Sequence, residues 1–217
     1  ITVSYMRPGG LLQDPPDDFW PALNRMISDL PQYIDELESL ITGNEIVLTR
    51  TREVGTISAE QAINASITGP ILRAAGVQWD VRRAHPYEVY DRLDFDVPIG
   101  AIGDTFDRYL VRIQEMRESV KILRQCVDQM PDGPVRAETP YFVRAPEGDV
   151  YSGVEGPKGE LGFYIVSDGG ISPYRCKIRA PSFINLTALR DMLVGWKMGD
   201  LITVFGSLDI VLGEVDR

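Results

Sequence analysis

The last residues of the chain carry its densest chemistry. In Gly206-Ser207-Leu208-Asp209-Ile210-Val211-Leu212-Gly213-Glu214-Val215-Asp216-Arg217, acids alternate with apolar side chains and no polar tail follows. An end of this kind is expected to tuck into structure, which would bring Asp209 and Glu214 close to burial. Buried carboxylates need cationic partners or hold protons more tightly. Arg217 or a cationic strand would neutralise them. That strand is residues 174–179, where Tyr174, Cys176 and Ile178 alternate with Arg175, Lys177 and Arg179. Its period of two puts apolar side chains on one face and cations on the other. In an acidic protein such a strip is either a solvated edge or a holder for an anionic tail, a lipid head or an acidic partner. A third charged set, Asp104, Asp107, Arg108, Arg112, Glu115 and Arg117, shares one helical stretch. A structural ion network is expected there, with proton coupling as the alternative.

Other chemistries are short of residues. His85 is the single histidine among 217 residues, it precedes Pro86, and no Gly-x-Ser-x-Gly elbow accompanies it. A structural role is expected rather than a place in a catalytic triad. The two cysteines, Cys126 and Cys176, are too few for a zinc or iron–sulfur site and read as small buried hydrophobes. The glycines mark turns rather than a phosphate-cradling loop. Acids outnumber Lys and Arg 32 to 22, a net charge of −10, which disfavours duplex nucleic acid as a partner. The most apolar window, 201–215, is interrupted by Gly206, Asp209 and Gly213, so no membrane span of its own is expected and the chain is read as soluble. It starts without Met inside an alternating run, Ile1, Val3 and Tyr5, as though a strand over 1–6 were already under way, so a fragment is expected.

The elements that must position these residues follow from apolar spacing. Phe19, Leu23, Met26, Ile27, Leu30, Ile34, Leu37 and Ile41 recur at three and four residues, which predicts a helix closed by Gly43. Pro31 lies inside the pattern and is expected to kink or split it. Residues 45–54 read as extended. Ser58 with Gln61 is a capping box, and Gly69-Pro70 opens a further short helix. The strongest helix is expected over 104–130, with Phe106, Tyr109, Leu110, Ile113, Met116, Val120, Leu123, Val127 and Met130 on one face. Its length calls for a bundle partner. Beyond the loop opened by Pro131-Asp132-Gly133-Pro134, residues 150–154 and 161–166 read as strands joined by Gly156-Pro157-Lys158-Gly159. Residues 186–194 read as a helix, Asp200 as the cap of another, and 209–217 as a tail. The expected fold class is α+β: a helical, bundle-type portion over 1–130, then a smaller β-containing portion over 131–217 that ends in a buried tail.

The order of several motifs resembles a known family. They are Tyr5-Met6-Arg7-Pro8-Gly9-Gly10 with Asp14; Gly69-Pro70-Ile71-Leu72-Arg73; Gln78-Trp79-Asp80-Val81-Arg82-Arg83; Pro86-Tyr87; Gly103-Asp104 with Asp107-Arg108-Tyr109-Leu110 and Glu115-Met116-Arg117; Pro157-Lys158-Gly159-Glu160; Ser167-Asp168-Gly169-Gly170; Pro173-Tyr174-Arg175-Cys176-Lys177-Ile178-Arg179-Ala180-Pro181; and the terminus Gly213-Glu214-Val215-Asp216-Arg217. Together they resemble the C-terminal half of the 49 kDa subunit of the proton-translocating NADH:quinone oxidoreductase, respiratory complex I.

The resemblance implies a subunit of the hydrophilic arm, peripheral to the membrane. It would lie on the cytoplasmic side in a bacterium and on the matrix side in a mitochondrion. Quinone is the implied substrate, reduced by an iron–sulfur cluster held in the neighbouring subunit, with a membrane subunit as second partner; this chain would bind no metal or cluster itself. The family is similar to the large subunit of nickel–iron hydrogenases, whose C-terminal Asp-Pro-Cys-x-x-Cys segment ligates the metals. Here Val211 and Glu214 stand in place of the two cysteines, and without thiolates a nickel site is not expected. Asp209, Val211 and Glu214 would line the quinone cavity instead, while Arg175, Lys177 and Arg179 would anchor the terminus or face a partner. The family's N-terminal half carries the histidine and tyrosine of the quinone headgroup and has no counterpart in these residues, so the isolated fragment is expected to be inactive. The alternatives are a subunit of a related hydrogenase-like membrane redox complex and a non-catalytic assembly scaffold of the hydrophilic arm.

Overall fold

The computed structural model describes residues 5–140, 142 and 144–216; the strand expected from Ile1 and the role given to Arg217 lie outside them. The chain opens on a two-stranded hairpin, β1 (Met6–Arg7) and β2 (Gly10–Leu11), turned at Pro8-Gly9. Helices α1 (Phe19–Ile41), α2 (Glu45–Thr51), α3 (Ala59–Asn64), α4 (Pro70–Ala74), α5 (Val81–Ala84) and α6 (Thr105–Asp128) follow. A three-stranded antiparallel sheet of order β3-β4-β5 comes next, with β3 at Gly148–Gly156, β4 at Gly159–Ser167 and β5 at Arg175–Arg179. Four short helices finish the chain: α7 (Pro181–Asn185), α8 (Leu189–Leu193), α9 (Met198–Leu208) and α10 (Leu212–Val215). The fold is α+β, as the apolar spacing predicts.

The two long helices pair through the expected stripe. Ile27 and Ile34 of α1 are buried against Ile113 and Val120 of α6. Arg117 ties the same pair at the surface, 2.8 Å from Asp35 and 2.5 Å from Glu38. Pro31 does not split α1. Ile27 before it and Ile34 after it pack in one cluster with α6, and that shared burial keeps both halves in one helix. Residues 45–51 are helical rather than extended. The Asn44 side chain accepts the Ile46 and Val47 amides at 2.9 and 3.4 Å, supplying the cap that the β-branched residues lacked as helix formers. Asp200 is not the cap of α9 but lies three residues inside, where its carboxylate accepts the Lys197 amide at 3.2 Å.

The larger core is assembled from distant stretches. Val54, Ile57, Ile67, Ile71 and Leu72 pack with Ala188, Met192, Val204 and Leu208. The connection after α6 does not wander either: it runs along the opening hairpin, with Leu11 donating to Val135 and Ala137 donating to Gly9, both at 2.9 Å. In the sheet, the β3–β4 register closes at Gly156 opposite Gly159, so Pro157-Lys158 forms the tight turn expected. That turn is the part of the sheet that reaches the candidate site.

Candidate functional site

Gly69 begins the site. Its backbone (φ 74°, ψ −152°) is open to glycine and little else, and its Cα faces the turn so closely that an added Cβ would lie 2.5 Å from the Gly159 Cα. Pro70 starts α4 immediately after it, and one turn later Arg73 points into the interior. Arg73 is among the largest wholly buried side chains. Its Nε donates to Glu115 of α6 at 2.6 Å, and its Nη1 donates to Glu155 of β3 at 2.9 Å and to the Trp79 carbonyl at 3.0 Å. Asp80, which caps α5 through the Arg82 amide, lies 3.7 Å from the same Nη1 and takes a fork of hydrogen bonds from Arg82. One arginine therefore joins α4, α5, α6 and the sheet.

The electrostatics follow from these partners. Burial alone would lower the Arg73 guanidinium, but Glu115, Glu155 and Asp80 outweigh it and push it up. Burial would raise Asp80, yet the hydrogen bonds and charge of Arg82, with Arg73 behind them, hold it below the usual carboxylate range. Glu155 goes the other way. Burial raises it by more than the charge of Arg73 lowers it, and repulsion from Asp80 adds to the rise.

The second half of the site is built on α6 and the chain end. Arg112 and Lys158 both face Asp209, Arg112 Nε at 3.5 Å and Lys158 Nζ in direct hydrogen-bonded contact. Burial lowers the Arg112 guanidinium. Asp209 closes α9 in the left-handed conformation (φ 56°, ψ 51°), a backbone that costs a non-glycine residue about 1 kcal/mol. Between the two halves lies a cleft of about 460 Å³ whose lining includes Arg73, Arg82, Arg112, Glu115, Glu155 and Asp209. An open cleft with both signs of charge can hold a polar ligand head and exchange protons with it.

The predicted residues are distributed unevenly over this arrangement. Asp209 is in the cleft, but its side chain is 44% exposed, and Val211 is 47% exposed, so neither is tucked away within the described residues. Glu214 is fixed elsewhere, accepting the Ser182 amide of α7 at 2.9 Å, and Ser182 Oγ accepts the Val211 amide at 3.2 Å. Neither Val211 nor Glu214 is among the residues lining the cleft. Among the described residues Asp209 is neutralised by Lys158 and Arg112 rather than by the cationic strand. Arg179 instead donates to the carbonyls of Glu160 and Ser66 at 2.7 and 2.9 Å, tying the sheet to the α3–α4 loop, while Arg175 and Lys177 are exposed. Cys176 is exposed as well, while Ile178 on the same face of β5 is half-buried.

The six charges of α6 do not form one network. Asp104 caps the helix and accepts the Asp107 and Glu53 amides at 2.7 and 2.6 Å. Asp107 gathers the amides of Ala101, Ile102 and Gly103. Glu115 serves Arg73, Arg117 serves α1, and Arg112 serves Asp209. Arg108 is wholly buried, and burial followed by Arg112 pushes its guanidinium down to about 9. Sequence reasoning missed Arg73, Asp80, Arg82, Glu155 and Lys158 as site residues, although each sits inside a quoted motif or next to one. His85 packs edge-on against Trp79, ring centres 5.8 Å apart, a structural placement. Among the described residues no group of three or more His, Cys, Asp or Glu is arranged to hold a metal ion.

A family model described as respiratory-chain NADH dehydrogenase, 49 Kd subunit, matches residues 1–144 and 140–217. The chain belongs to this family. Among curated relatives, an NADH-quinone oxidoreductase subunit of Dehalococcoides mccartyi is 56% identical over 217 residues, covering 100% of this chain and 59% of that protein. Its counterpart in Roseiflexus sp., also named as an NADH-quinone oxidoreductase subunit, is 51% identical over 225 residues, with 100% and 60% covered. The counterpart in a Wolbachia, under the same enzyme name, is 44% identical over 240 residues, with 99% and 62% covered. This 49 kDa family member thus spans about three fifths of the length of the relatives it matches. Within it, the cleft is where Arg73 of the Gly69–Arg73 motif, Pro157 of the Pro157–Glu160 turn and Asp209 meet.

Proposed function

We propose that this chain is the portion of a complex I subunit that helps form the quinone-reduction site, working in an NADH:quinone oxidoreductase. The observation that carries the proposal is the clamp on Asp209. A left-handed carboxylate is held by Lys158 and Arg112 at a charged cleft, on the segment where the resemblance to hydrogenases would put a metal-binding loop. Asp209 is read as a polar or proton-handling group at the cleft; Val211 and Glu214, outside the cleft lining, are read as the apolar wall and a second polar group of a larger cavity completed by the neighbouring subunits. Electrons come from an iron–sulfur cluster in the neighbouring subunit. This chain's share is to shape the cavity, fix the quinone's orientation and supply or relay protons.

The partners in this reading are the terminal-cluster subunit and the membrane subunit at the quinone site, with Arg175 and Lys177 offered to a partner surface. No described helix is long and apolar enough to cross a membrane. The chain is read as peripheral, on the cytoplasmic face in a bacterium or the matrix face in a mitochondrion.

The test is Val211→Met in the assembled complex. Val211 is half-exposed in this chain, so the exchange leaves the chain's own fold intact, and the yield of assembled complex checks assembly. Lengthening an apolar wall lowers quinone-site inhibitor affinity by about tenfold or more and raises the quinone KM. Unchanged inhibitor binding and unchanged quinone kinetics would show that this segment is an assembly scaffold rather than a cavity wall.

A further inference from the structure

Arg108 is a charge with an unusual setting. It is 0% exposed, and among the described residues no carboxylate lies within ion-pair distance of it. A buried guanidinium without a counter-ion is costly unless each of its nitrogens finds an acceptor. Here Nη1 donates to the Gly103 carbonyl and Nη2 to Thr105 Oγ1, each at 2.8 Å, and Nε donates to Ser207 Oγ at 2.9 Å. The first two acceptors are local to the start of α6. Ser207 is 99 residues away in sequence, in the last turn of α9.

That last turn decides where the chain end goes. Ser207 accepts from Arg108 and donates onward to the Val204 carbonyl at 2.6 Å. Leu208, wholly buried, comes next, and its carbonyl lies 3.5 Å from Arg112 Nη2. Asp209 then takes its left-handed turn, with its amide donating to Gly206 at 3.1 Å. Arg108 and Arg112, one turn apart on α6, are linked by an Arg112 hydrogen bond to the Arg108 carbonyl at 2.8 Å. Both therefore present positive charge to the carbonyl end of α9, where the helix dipole favours it. The direction in which residues 209–211 leave α9 is fixed by α6 through this pair.

We infer that Arg108 and Ser207 are positioning residues for quinone: they touch no substrate but set the place of the Asp209–Val211 segment, so the apparent affinity for quinone depends on their hydrogen bond. The inference rests on the cavity reading above. It assigns to Arg108 a role distinct from an ion network, since its contacts are neutral oxygens.

The experiment uses the assembled complex carrying Ser207→Ala, Ser207→Thr or Val211→Met, with a short-chain quinone and a quinone-site inhibitor as probes. Ser207→Ala removes the acceptor and is expected to raise the quinone KM and weaken the inhibitor by about three- to tenfold, with kcat changed by less than about twofold. Ser207→Thr keeps a hydroxyl and restores both values. A wild-type KM and inhibitor affinity in Ser207→Ala, beside a shifted Val211→Met, would overturn the positioning role while leaving the cavity reading intact. A loss of assembled complex and kcat in proportion, with KM unchanged, would reduce the bond to a structural tie and overturn it too. No effect from either Val211→Met or Ser207→Ala would remove the cavity reading and this inference together.

Discussion

Asp80 and Glu155 share one arginine and respond to it in opposite ways. Asp80 receives the fork of Arg82 besides the charge of Arg73, so its ionised form is favoured. Glu155 receives one Arg73 hydrogen bond and a long one from the Val81 amide at 3.3 Å, deep inside the fold and beside Asp80. Its neutral form gains relative to an exposed glutamate. The linkage signs differ accordingly. The stability from Asp80 is present above its usual value of 3.8 and is lost as pH falls through its depressed folded value. The stability from Glu155 is full below its usual value of 4.5 and is lost as pH rises through its raised folded value. Glu155→Gln removes only the second dependence. The variant is expected to show a melting temperature that falls less than the wild type's as pH rises from about 4.5 toward neutrality, measured by calorimetry across that range. Parallel profiles for the two proteins would mean that Glu155 is ionised at an ordinary pH in the fold.

At the scale of elements, the decisive contact is between α4 and the β3–β4 turn. Two glycines make it, Gly69 and Gly159, and the Thr68 hydroxyl accepts the Glu160 amide at 3.0 Å beside them. The approach has to be this close because Arg73 must reach Glu155 from the first turn of a five-residue helix. Gly69→Ala adds a Cβ that meets backbone rather than a movable side chain and forces alanine into a glycine-only conformation. The expected loss is about 2 kcal/mol or more, read as a lower midpoint in urea unfolding. It should come with faster amide exchange in the β3–β4 turn than in α1. A variant as stable as the wild type would show that the turn and α4 are not held together in solution.

The whole molecule leaves apolar surface uncovered on more than one side. On α1, Met26, Tyr33 and Leu40 recur every seven residues beside the face that α6 covers, and Leu40 is 72% exposed. On α9, Met198 and Ile202 are 83% and 77% exposed. On the sheet, the β3–β4–β5 register puts Val150, Phe163 and Cys176 on one face, and all three are exposed. Surfaces of this kind belong to interfaces. These 217 residues purified alone are therefore expected to self-associate and to enhance the fluorescence of an apolar dye, with the mass rising with concentration in light scattering. A monodisperse monomer that leaves the dye dark would contradict the exposure of these faces.

Features that depend on neighbours along the chain are written in the sequence alone. The period of three and four residues is enough for α1 and α6, and Gly156-Pro157-Lys158-Gly159 is enough for the hairpin turn, because backbone geometry repeats locally. The ordered motifs were likewise enough for the family. Where local preference is weak, the neighbours along the chain do not decide: the β-branched run at 45–51 is helical because Asn44 caps it, and α1 passes Pro31 because burial on both sides of it holds the helix. The site itself was legible only in part. Asp209 could be picked out as an acid in an apolar run, but its partners could not. Arg73 meets Glu155 across 82 residues and Arg108 meets Ser207 across 99. A charge carries no periodic signature that names its partner. Only the tertiary structure decides which of the many charged side chains is desolvated and what faces it there, and those two facts set both the cost of the charge and its proton affinity.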